Sequence, residues 1–233
     1  QLRQLNSMRR DFISNLSHEL RTPVSVIRAN SETLLDGALE NKKDAKSFAK
    51  AILHNSERLS SMVSDLIDLS RIEYGDLKLN IQKIDLDHFI NGFISSMKSL
   101  TKKKDIEIIY EPSKNNWIKA DLQALERIMN NLIDNAFKYS EKGSSITIST
   151  EQAANHLKVM IADSGSGVSD EDKEHIFDRF YRTASARASD NKGSGLGLAI
   201  VKNLANSLDG EVGIESRKPN GSIFWFTLPL EKA

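Results

Sequence analysis

Two long stretches with helix-period apolar positions occupy the first third of the chain. Within each stretch the apolar residues recur at spacings of mostly three, four or seven, which is the periodicity of one face of an α-helix. The pattern therefore predicts two long amphipathic helices. The first apolar set is Ile13, Leu16, Leu20, Val24, Ile27 and Leu34, and the second is Phe48, Ile52, Leu59, Met62, Leu66 and Leu69, with Asn55 in the same register.

A short turn signal separates the two helices and predicts a hairpin. Asp36-Gly37 is followed closely by Glu40-Asn41, and such residues favour a tight connection. An antiparallel helical hairpin has a broad apolar stripe but only one partner within the chain. A four-helix bundle formed by two chains would bury the part of the apolar stripe that one hairpin leaves exposed, so we expect a homodimer. Pro23 lacks a backbone N–H and is expected to kink or loosen the first helix.

The remainder of the chain mixes strand-like and helix-like segments. Gly75 and Asp76 are expected to end the second helix, and residues 76–86 alternate like an extended linker. Helices are predicted at about 87–102, 121–139 and 196–208. Strands are predicted at 106–110, 117–120, 145–150, 157–163, 211–216 and 222–228.

These elements favour a chain of two domains. Residues 1–75 are interpreted as the helical hairpin, 76–86 as the linker, and 87–233 as an α/β two-layer sandwich with helices on one face of a sheet. The stretch 183–192 is polar and small, which predicts a mobile loop.

Composition excludes several classes of function. Lys and Arg together number 32, as do Asp and Glu, so the chain has no net charge and no nucleic-acid partner is expected. The chain has no cysteine, which excludes disulfides, thiolate metal sites and cysteine catalysis. No apolar run reaches the length that spans a bilayer. We expect a cytoplasmic fragment that reaches the membrane only through missing upstream segments.

The predicted helix 121–139 carries polar side chains opposite its apolar face. Asn131, Asn135 and Lys138 are spaced four and three apart, so they share one side of the helix. Amide oxygens suit a hydrated Mg²⁺, and a lysine neutralises phosphate charge. An ordinary solvated helix face is the alternative interpretation of this pattern.

Two glycine-containing segments follow, and each could approach a ligand closely. Gly165 and Gly167 come just after Asp163, at the end of a predicted strand, where the carboxylate could accept a hydrogen bond from an exocyclic amine such as that of adenine. A simple glycine turn is the alternative. The second segment precedes a predicted helix, whose free N–H groups can bind phosphate. That segment contains Gly193, Gly195, Gly197 and Leu198.

His18 differs from the other histidines in its neighbours. It lies off the apolar stripe of the first helix and should face solvent, with Glu19 next to it and Thr22 one turn later. A carboxylate that accepts a proton from the imidazole makes the other ring nitrogen a better nucleophile. A merely exposed histidine is the alternative.

Together these segments resemble the bacterial two-component sensor histidine kinases that carry a His-Glu-Leu-Arg-Thr-Pro phosphorylation box. The family's boxes occur in order over nearly the whole chain. They match residues 12–23, 131–140, 163–167, 176–182 and 193–200, and residues 220–229 resemble the family's closing strand. Ser164 departs from the asparagine or threonine that is more common in the family, and Val24 and Trp225 are milder departures.

The resemblance implies a role for each matched residue. His18 would be the phosphoacceptor, Glu19 its general base, and Thr22 would orient water when the partner is dephosphorylated. Asn135 would bind Mg²⁺ and Asp163 would bind adenine. Residues 180–193 would form a lid over the nucleotide. The remaining roles are phosphate contacts for Asn131, Lys138 and Arg182, nucleoside packing for Tyr139, and lid anchoring for Phe177 and Phe180.

The resemblance therefore predicts a Bergerat-type ATP-binding sandwich, shared with gyrase and MutL, behind a dimeric bundle. The expected activity is ATP- and Mg²⁺-dependent phosphorylation of His18, transfer to an aspartate on the receiver domain of a response regulator, and dephosphorylation of that regulator. The parent protein would lie at the inner face of the bacterial membrane. Two alternatives are a gyrase-like or MutL-like ATPase and a non-enzymatic dimerisation module.

Overall fold

The computed structural model describes residues 2–73, 76–114, 116–188 and 193–231, without the side chains of residues 2–12, Glu73 and Ala188. The chain divides into two compact units, Gln1–Asp68 and Leu69–Ala233. They are described separately below. Among the described residues, no helix combines the length and the apolar character that crossing a membrane requires.

The first unit is a helical hairpin, as the apolar periodicity predicts. Helix α1 is Leu2–Leu35, a 3₁₀ turn covers Ala38–Glu40, and helix α2 is Lys42–Glu73. Gly37 precedes the 3₁₀ turn with a φ of 117°, a conformation that glycine adopts without strain. The connection between the helices is therefore as short as the sequence suggests.

Helix α1 continues as a single helix through Pro23, which is buried. The proline does not end the helix, and the kink stays a prediction. Several apolar side chains on the hairpin are about half exposed, because a single hairpin cannot cover both sides of its helices. They are Ile13, Val24, Leu53, Val63 and Ile67.

The second unit is built on a five-stranded mixed sheet. Its strand order is β2-β4-β5-β7-β6, with β2 parallel to β4 and the other pairs antiparallel. The strands are β2 Glu107–Glu111, β4 Ser145–Ala153, β5 His156–Ala162, β6 Val212–Ser216 and β7 Ser222–Pro229. Alternate residues of β4, β5 and β7 are buried, which is the period-two pattern of a sheet with one face on the core.

Two longer helices pack beside this sheet and complete the two-layer sandwich. Helix α5 is Leu122–Tyr139 and helix α8 is Gly197–Ser207, and they contact each other. Helix α5 contributes eight buried side chains to the core, among them Leu125, Ile128 and Phe137. The predicted helix 121–139 and the predicted α/β class are therefore confirmed.

A small second sheet includes part of the segment 76–86, which the sequence predicts to be an extended linker. Strand β1, Gln82–Asp85, pairs antiparallel with β3, Trp117–Ala120, so that Ile84 lies opposite Ile118. Both isoleucines are buried. The alternation in this segment is thus that of a strand, and its ladder partner lies more than thirty residues away in sequence.

Two further elements differ from their predictions. The predicted helix 87–102 is two helices, α3 Leu86–Ser96 and α4 Lys98–Lys104, interrupted at Met97. The two remaining helices are short: α6, Asp170–Lys173, and α7, Ala184–Ala188. Helix α7 lies inside the predicted mobile loop 183–192, of which residues 189–192 are outside the described part of the chain.

Candidate functional site

His18 projects into solvent from the surface of α1, as its position off the apolar stripe predicts. Glu19 is partly exposed and Thr22 is exposed. The Thr22 hydroxyl donates to the His18 carbonyl oxygen at 3.4 Å, which is long for an O–H···O bond. The imidazole of His18 is therefore accessible, and the Thr22 hydroxyl is only weakly held by the preceding turn.

Glu19 is held by a residue that the sequence interpretation did not include. Nη2 of Arg58 on α2 donates to Oε2 of Glu19 at 3.1 Å, and the Arg58 side chain is only 10% exposed. This ion pair ties the carboxylate beside His18 to the facing helix. The signal in the sequence is a charged residue three positions after Asn55, on the otherwise apolar face of α2.

Helix α5 presents the predicted polar stripe. Its start is capped by Asp121, whose Oδ1 accepts from Ala124 N at 2.9 Å. Asn131 and Asn135 are partly buried. Lys138 forms an ion pair with Asp134 one turn earlier. The last residue of the helix, Tyr139, is 39% exposed, so its side chain is available to pack on a ligand.

Asp163 lies at the end of β5 with its carboxylate buried. Oδ1 accepts from Gly165 N at 2.8 Å and from Ser222 N at 3.2 Å. Among the described residues, no hydrogen bond reaches Oδ2, which leaves that oxygen able to accept from a ligand. Burial raises the pKa of Asp163 above its usual value, while the two N–H donors and the charge of Arg217 act in the opposite direction.

The first glycine segment is packed too closely for larger residues. A Cβ on Gly165 would lie 2.6 Å from the Tyr139 carbonyl oxygen, at the end of α5. Gly167 has a φ of 77° and lies against the backbone of Gly221. A side chain on Gly221 would in turn collide with the Asp163 carbonyl oxygen. The backbone of this segment therefore touches both the end of α5 and the start of β7.

The second glycine segment lies against α5 at a different point. A Cβ on Gly197, the first residue of α8, would lie 2.7 Å from Oδ1 of Asn131. Gly195 has a φ of 71° and its carbonyl accepts from Phe180 N at 2.8 Å. Leu198 is partly buried in the first turn of α8. No atom of the described residues lies within 4 Å of a Cβ on Gly193, so close packing does not require that glycine.

The second glycine segment contacts the start of the predicted lid. Phe177 and Phe180 are partly buried, and Phe180 has a φ of 61° beside Gly195. The Arg182 guanidinium donates to the Ala186 carbonyl oxygen in α7. Arg182 thereby holds α7 through one of the five N–H donors of its guanidinium, and its predicted contact with phosphate stays a prediction.

Helix α5 therefore touches both glycine segments, at Asn131 and at Tyr139. These residues are eight positions apart, which corresponds to about 12 Å along a helix axis. Asn135 lies midway between them. The structure brings together the helix residues Asn131, Asn135, Lys138 and Tyr139, the first segment Asp163, Gly165 and Gly167, and the second-segment residues Gly195, Gly197 and Leu198.

The available donors limit how a metal could bind. Among the described residues, no group of three or more His, Cys, Asp or Glu side chains could hold a metal ion. The Asn135 amide oxygen is a hard ligand of the kind that Mg²⁺ accepts when phosphate and water supply the other positions. The site therefore fits a metal that enters together with a phosphorylated ligand.

Comparisons with known proteins agree with this arrangement. Residues 8–75 match the His Kinase A (phospho-acceptor) domain, and residues 120–232 match the histidine kinase-, DNA gyrase B- and HSP90-like ATPase domain. Sensor-like histidine kinase SenX3 of Mycobacterium tuberculosis is 36% identical over 97% of this chain. The chain spans 55% of the length of SenX3.

Two solved structures resemble the chain along most of its length. The Acinetobacter baumannii histidine kinase AdeS aligns with a TM-score of 0.75 and 26% identity, over 92% of this chain and 98% of that one. Full-length ShkA in complex with AMPPNP aligns with a TM-score of 0.68 and 26% identity, over 96% of this chain and 46% of that one. The two matched domains together cover most of the sequence, and the chain therefore belongs to the histidine kinase family.

Proposed function

We propose that this chain is the catalytic core of a two-component sensor kinase, which transfers the γ-phosphoryl group of ATP to His18. The observation that carries the proposal is the position of α5 between two glycine segments. Asn131 contacts Gly197 and the end of the helix contacts Gly165, which leaves a polar strip about 12 Å long between them. A nucleotide placed along that strip would have its base at one end and its phosphates at the other.

The chemistry at the two ends supports this orientation. At the first, Oδ2 of Asp163 can accept a hydrogen bond from the adenine amino group, and the exposed Tyr139 can pack on the nucleoside. At the other, the backbone N–H groups at the start of α8 are donors for phosphate oxygens. Lys138 lies on α5 between these two ends, and its ammonium group can replace its ion pair with Asp134 by one with a phosphate.

Asn135 is the residue we assign to Mg²⁺. When bound, the ion supplies charge neutralisation on the phosphates. Asn131 supports the phosphates beside it. Arg182 would add a second cation, and its bond to the Ala186 carbonyl links that cation to α7.

At His18 the reaction is an in-line displacement. One imidazole nitrogen attacks the γ-phosphorus, the P–O bond to the β-phosphate breaks, and ADP leaves with that electron pair. Glu19 accepts the proton of the other nitrogen and so offsets the imidazolium charge. The Arg58 ion pair holds the Glu19 carboxylate in place against α2.

The phosphohistidine would then donate to an aspartate on the receiver domain of a separate response regulator. The half-exposed apolar residues of the hairpin support a homodimer, in which two hairpins form a four-helix bundle. Thr22 is proposed to orient the water that dephosphorylates the regulator. The parent protein is proposed to act at the inner face of the bacterial membrane.

The stability of the labelled product tests the proposed reaction. The protein is incubated with γ-labelled ATP and Mg²⁺, and the label on the protein is followed in acid and in base. A histidine kinase yields a protein label that is lost in acid and kept in base. A gyrase-like or MutL-like ATPase would release labelled phosphate without labelling the protein, and a non-enzymatic module would do neither.

A further inference from the structure

Arg217 lies next to the nucleobase carboxylate without belonging to any of the family's boxes. It follows β6, in the turn that leads into β7. Its Nη1 donates to the Asp163 carbonyl oxygen and to the Ser164 hydroxyl, both at 3.0 Å. One guanidinium nitrogen therefore bridges the residue that would bind adenine and the residue that follows it.

Ser164 is the position where this chain departs from the more common asparagine or threonine. Its hydroxyl accepts from Arg217 and donates to the Ser145 carbonyl at the start of β4, at 3.3 Å. A serine hydroxyl can do both at once, since it carries one donor and two acceptor sites. The serine that departs from the family's pattern therefore has a specific hydrogen-bond partner, Arg217.

The rest of the turn fixes Arg217 in register with Asp163. The backbone N–H of Arg217 donates to Gly221 O at 3.1 Å, and Asp163 N donates to Ser222 O at 2.9 Å. Ser222 N returns a bond to the Asp163 carboxylate. Backbone hydrogen bonds thus connect the β6–β7 turn to the Asp163 segment, and the Arg217 side chain adds two further hydrogen bonds.

We propose that Arg217 is a positioning residue for nucleotide binding, which holds the Asp163 segment in place through its bridge to the Asp163 carbonyl and the Ser164 hydroxyl. The inference rests on the proposed role of Asp163 in binding adenine. Arg217 does not touch the ligand in this account. It fixes the backbone from which the carboxylate projects and places a positive charge close to it.

The charge makes a second, pH-dependent contribution. The Asp163 carboxyl group accepts from the adenine amino group more strongly when it is ionised, and burial opposes ionisation. Arg217 is the charged group that favours the carboxylate among the described residues that act on it. Loss of this charge raises the pKa of Asp163 further, so nucleotide affinity should begin to fall at a higher pH.

The experiment compares ADP affinity in the wild type, Arg217→Gln, Arg217→Lys and Lys218→Gln between pH 5.5 and 8. Lys218 is exposed in the same turn, so Lys218→Gln controls for the loss of one nearby charge. Titration of the ADP phosphates is common to all variants and cancels in the ratio to wild type. Thermal unfolding of each variant is measured in parallel to show that it is folded.

We expect Arg217→Gln to weaken ADP binding by about fivefold to tenfold at pH 7.5, the effect of losing a charge-assisted hydrogen bond. The deficit should grow as the pH falls. Arg217→Lys should keep the charge but lose the bridge, and so show a constant deficit without the added pH dependence. Lys218→Gln should remain within about twofold of wild type.

Two results would count against the proposal in different ways. If Arg217→Gln binds ADP like Lys218→Gln at every pH, then Arg217 has no positioning role. If Asp163→Asn, measured alongside, also binds ADP like wild type, then the proposed adenine contact itself is wrong. A loss of at least about tenfold in Asp163→Asn together with an unchanged Arg217→Gln would reject only the present inference.

Discussion

Two side chains flank His18 on α1, and their chemistry assigns them to different reactions. In the proposed reaction, phosphorylation of the imidazole needs a proton acceptor, which the Glu19 carboxylate can supply and a hydroxyl cannot. Removal of a phosphoryl group from a regulator needs an oriented water, which the Thr22 hydroxyl can hold. The hydrogen bond from the Thr22 hydroxyl to the His18 carbonyl oxygen is long at 3.4 Å, so the helix backbone holds this hydroxyl only weakly.

We therefore predict that Thr22→Ala keeps autophosphorylation within a few fold of wild type and loses most regulator phosphatase activity. Glu19→Ala should lower the autophosphorylation rate by about 10²-fold or more, the usual contribution of a general base. Both rates are measured on both variants with one regulator. If Thr22→Ala changes both activities and thermal stability together, the Thr22 hydroxyl instead stabilises the bend of the helix before Pro23 by bonding to the preceding turn.

At the residue scale, the sequence identifies the groups that carry chemistry better than the groups that hold them. His18 is exposed and Asp163 follows a strand, as predicted, and the structure adds that the Asp163 side chain is buried. Arg58 and Arg217 were not predicted, because each acts on a residue about forty or more positions away in the chain. No local periodicity reports such a contact, although the charge of Arg58 on an apolar face was a usable signal.

At the scale of elements, Asp121 joins α5 to the segment that precedes β1. Its Oδ1 caps α5 through Ala124 N, and its Oδ2 accepts from Asn80 N at 2.7 Å. The side chain is buried, so both N–H groups lose their partner if it is truncated. One carboxylate thus fixes both the start of helix α5 and the entry to the small sheet.

We predict that Asp121→Ala lowers the free energy of unfolding of the second unit by about 2 kcal/mol, from the lost cap and the second unpaired N–H. Asp121→Asn should lie between Ala and wild type, because its single amide oxygen can serve one of the two donors. Urea denaturation of the full chain, followed by the fluorescence of its two tryptophans, provides the measurement. Equal stability of all three proteins would show that neither bond contributes.

Elements with strong periodicity are predicted well, and those defined by distant pairing are not. The hairpin helices, α5 and the strands β4, β5 and β7 follow their apolar patterns closely. The sequence does not distinguish strand β1 from the rest of the extended segment 76–86, because four residues carry little periodic signal and their partner β3 lies far away in sequence. The break between α3 and α4 falls at Met97, where neither glycine nor proline marks it.

At the scale of the whole molecule, the hairpin leaves an apolar surface that a second copy would cover. Val63 and Ile67 are one turn apart on α2 and each is 47% exposed. We predict that the double variant Val63→Asp and Ile67→Asp shifts the protein from dimer to monomer. Buried carboxylates without a partner are strongly unfavourable in such an interface.

Ser47→Asp serves as the matched control for the dimer prediction. Ser47 is exposed on the opposite side of α2 by helical periodicity, so a carboxylate placed there should leave the dimer intact. Light scattering after size-exclusion chromatography gives the mass of each species. A double variant that elutes with the mass of the wild type would exclude this face as the dimer interface.

His18 is proposed to accept the phosphoryl group of ATP, and site-specific labelling tests this role directly. His54 is an exposed histidine on α2 of the same hairpin, so His54→Gln is the matched control for His18→Gln. Each protein is incubated with γ-labelled ATP and Mg²⁺, and the acid-labile label on the protein is quantified. We predict that His18→Gln abolishes the label while His54→Gln retains it. Undiminished acid-labile label on His18→Gln would contradict the assignment of His18 as the phosphoacceptor.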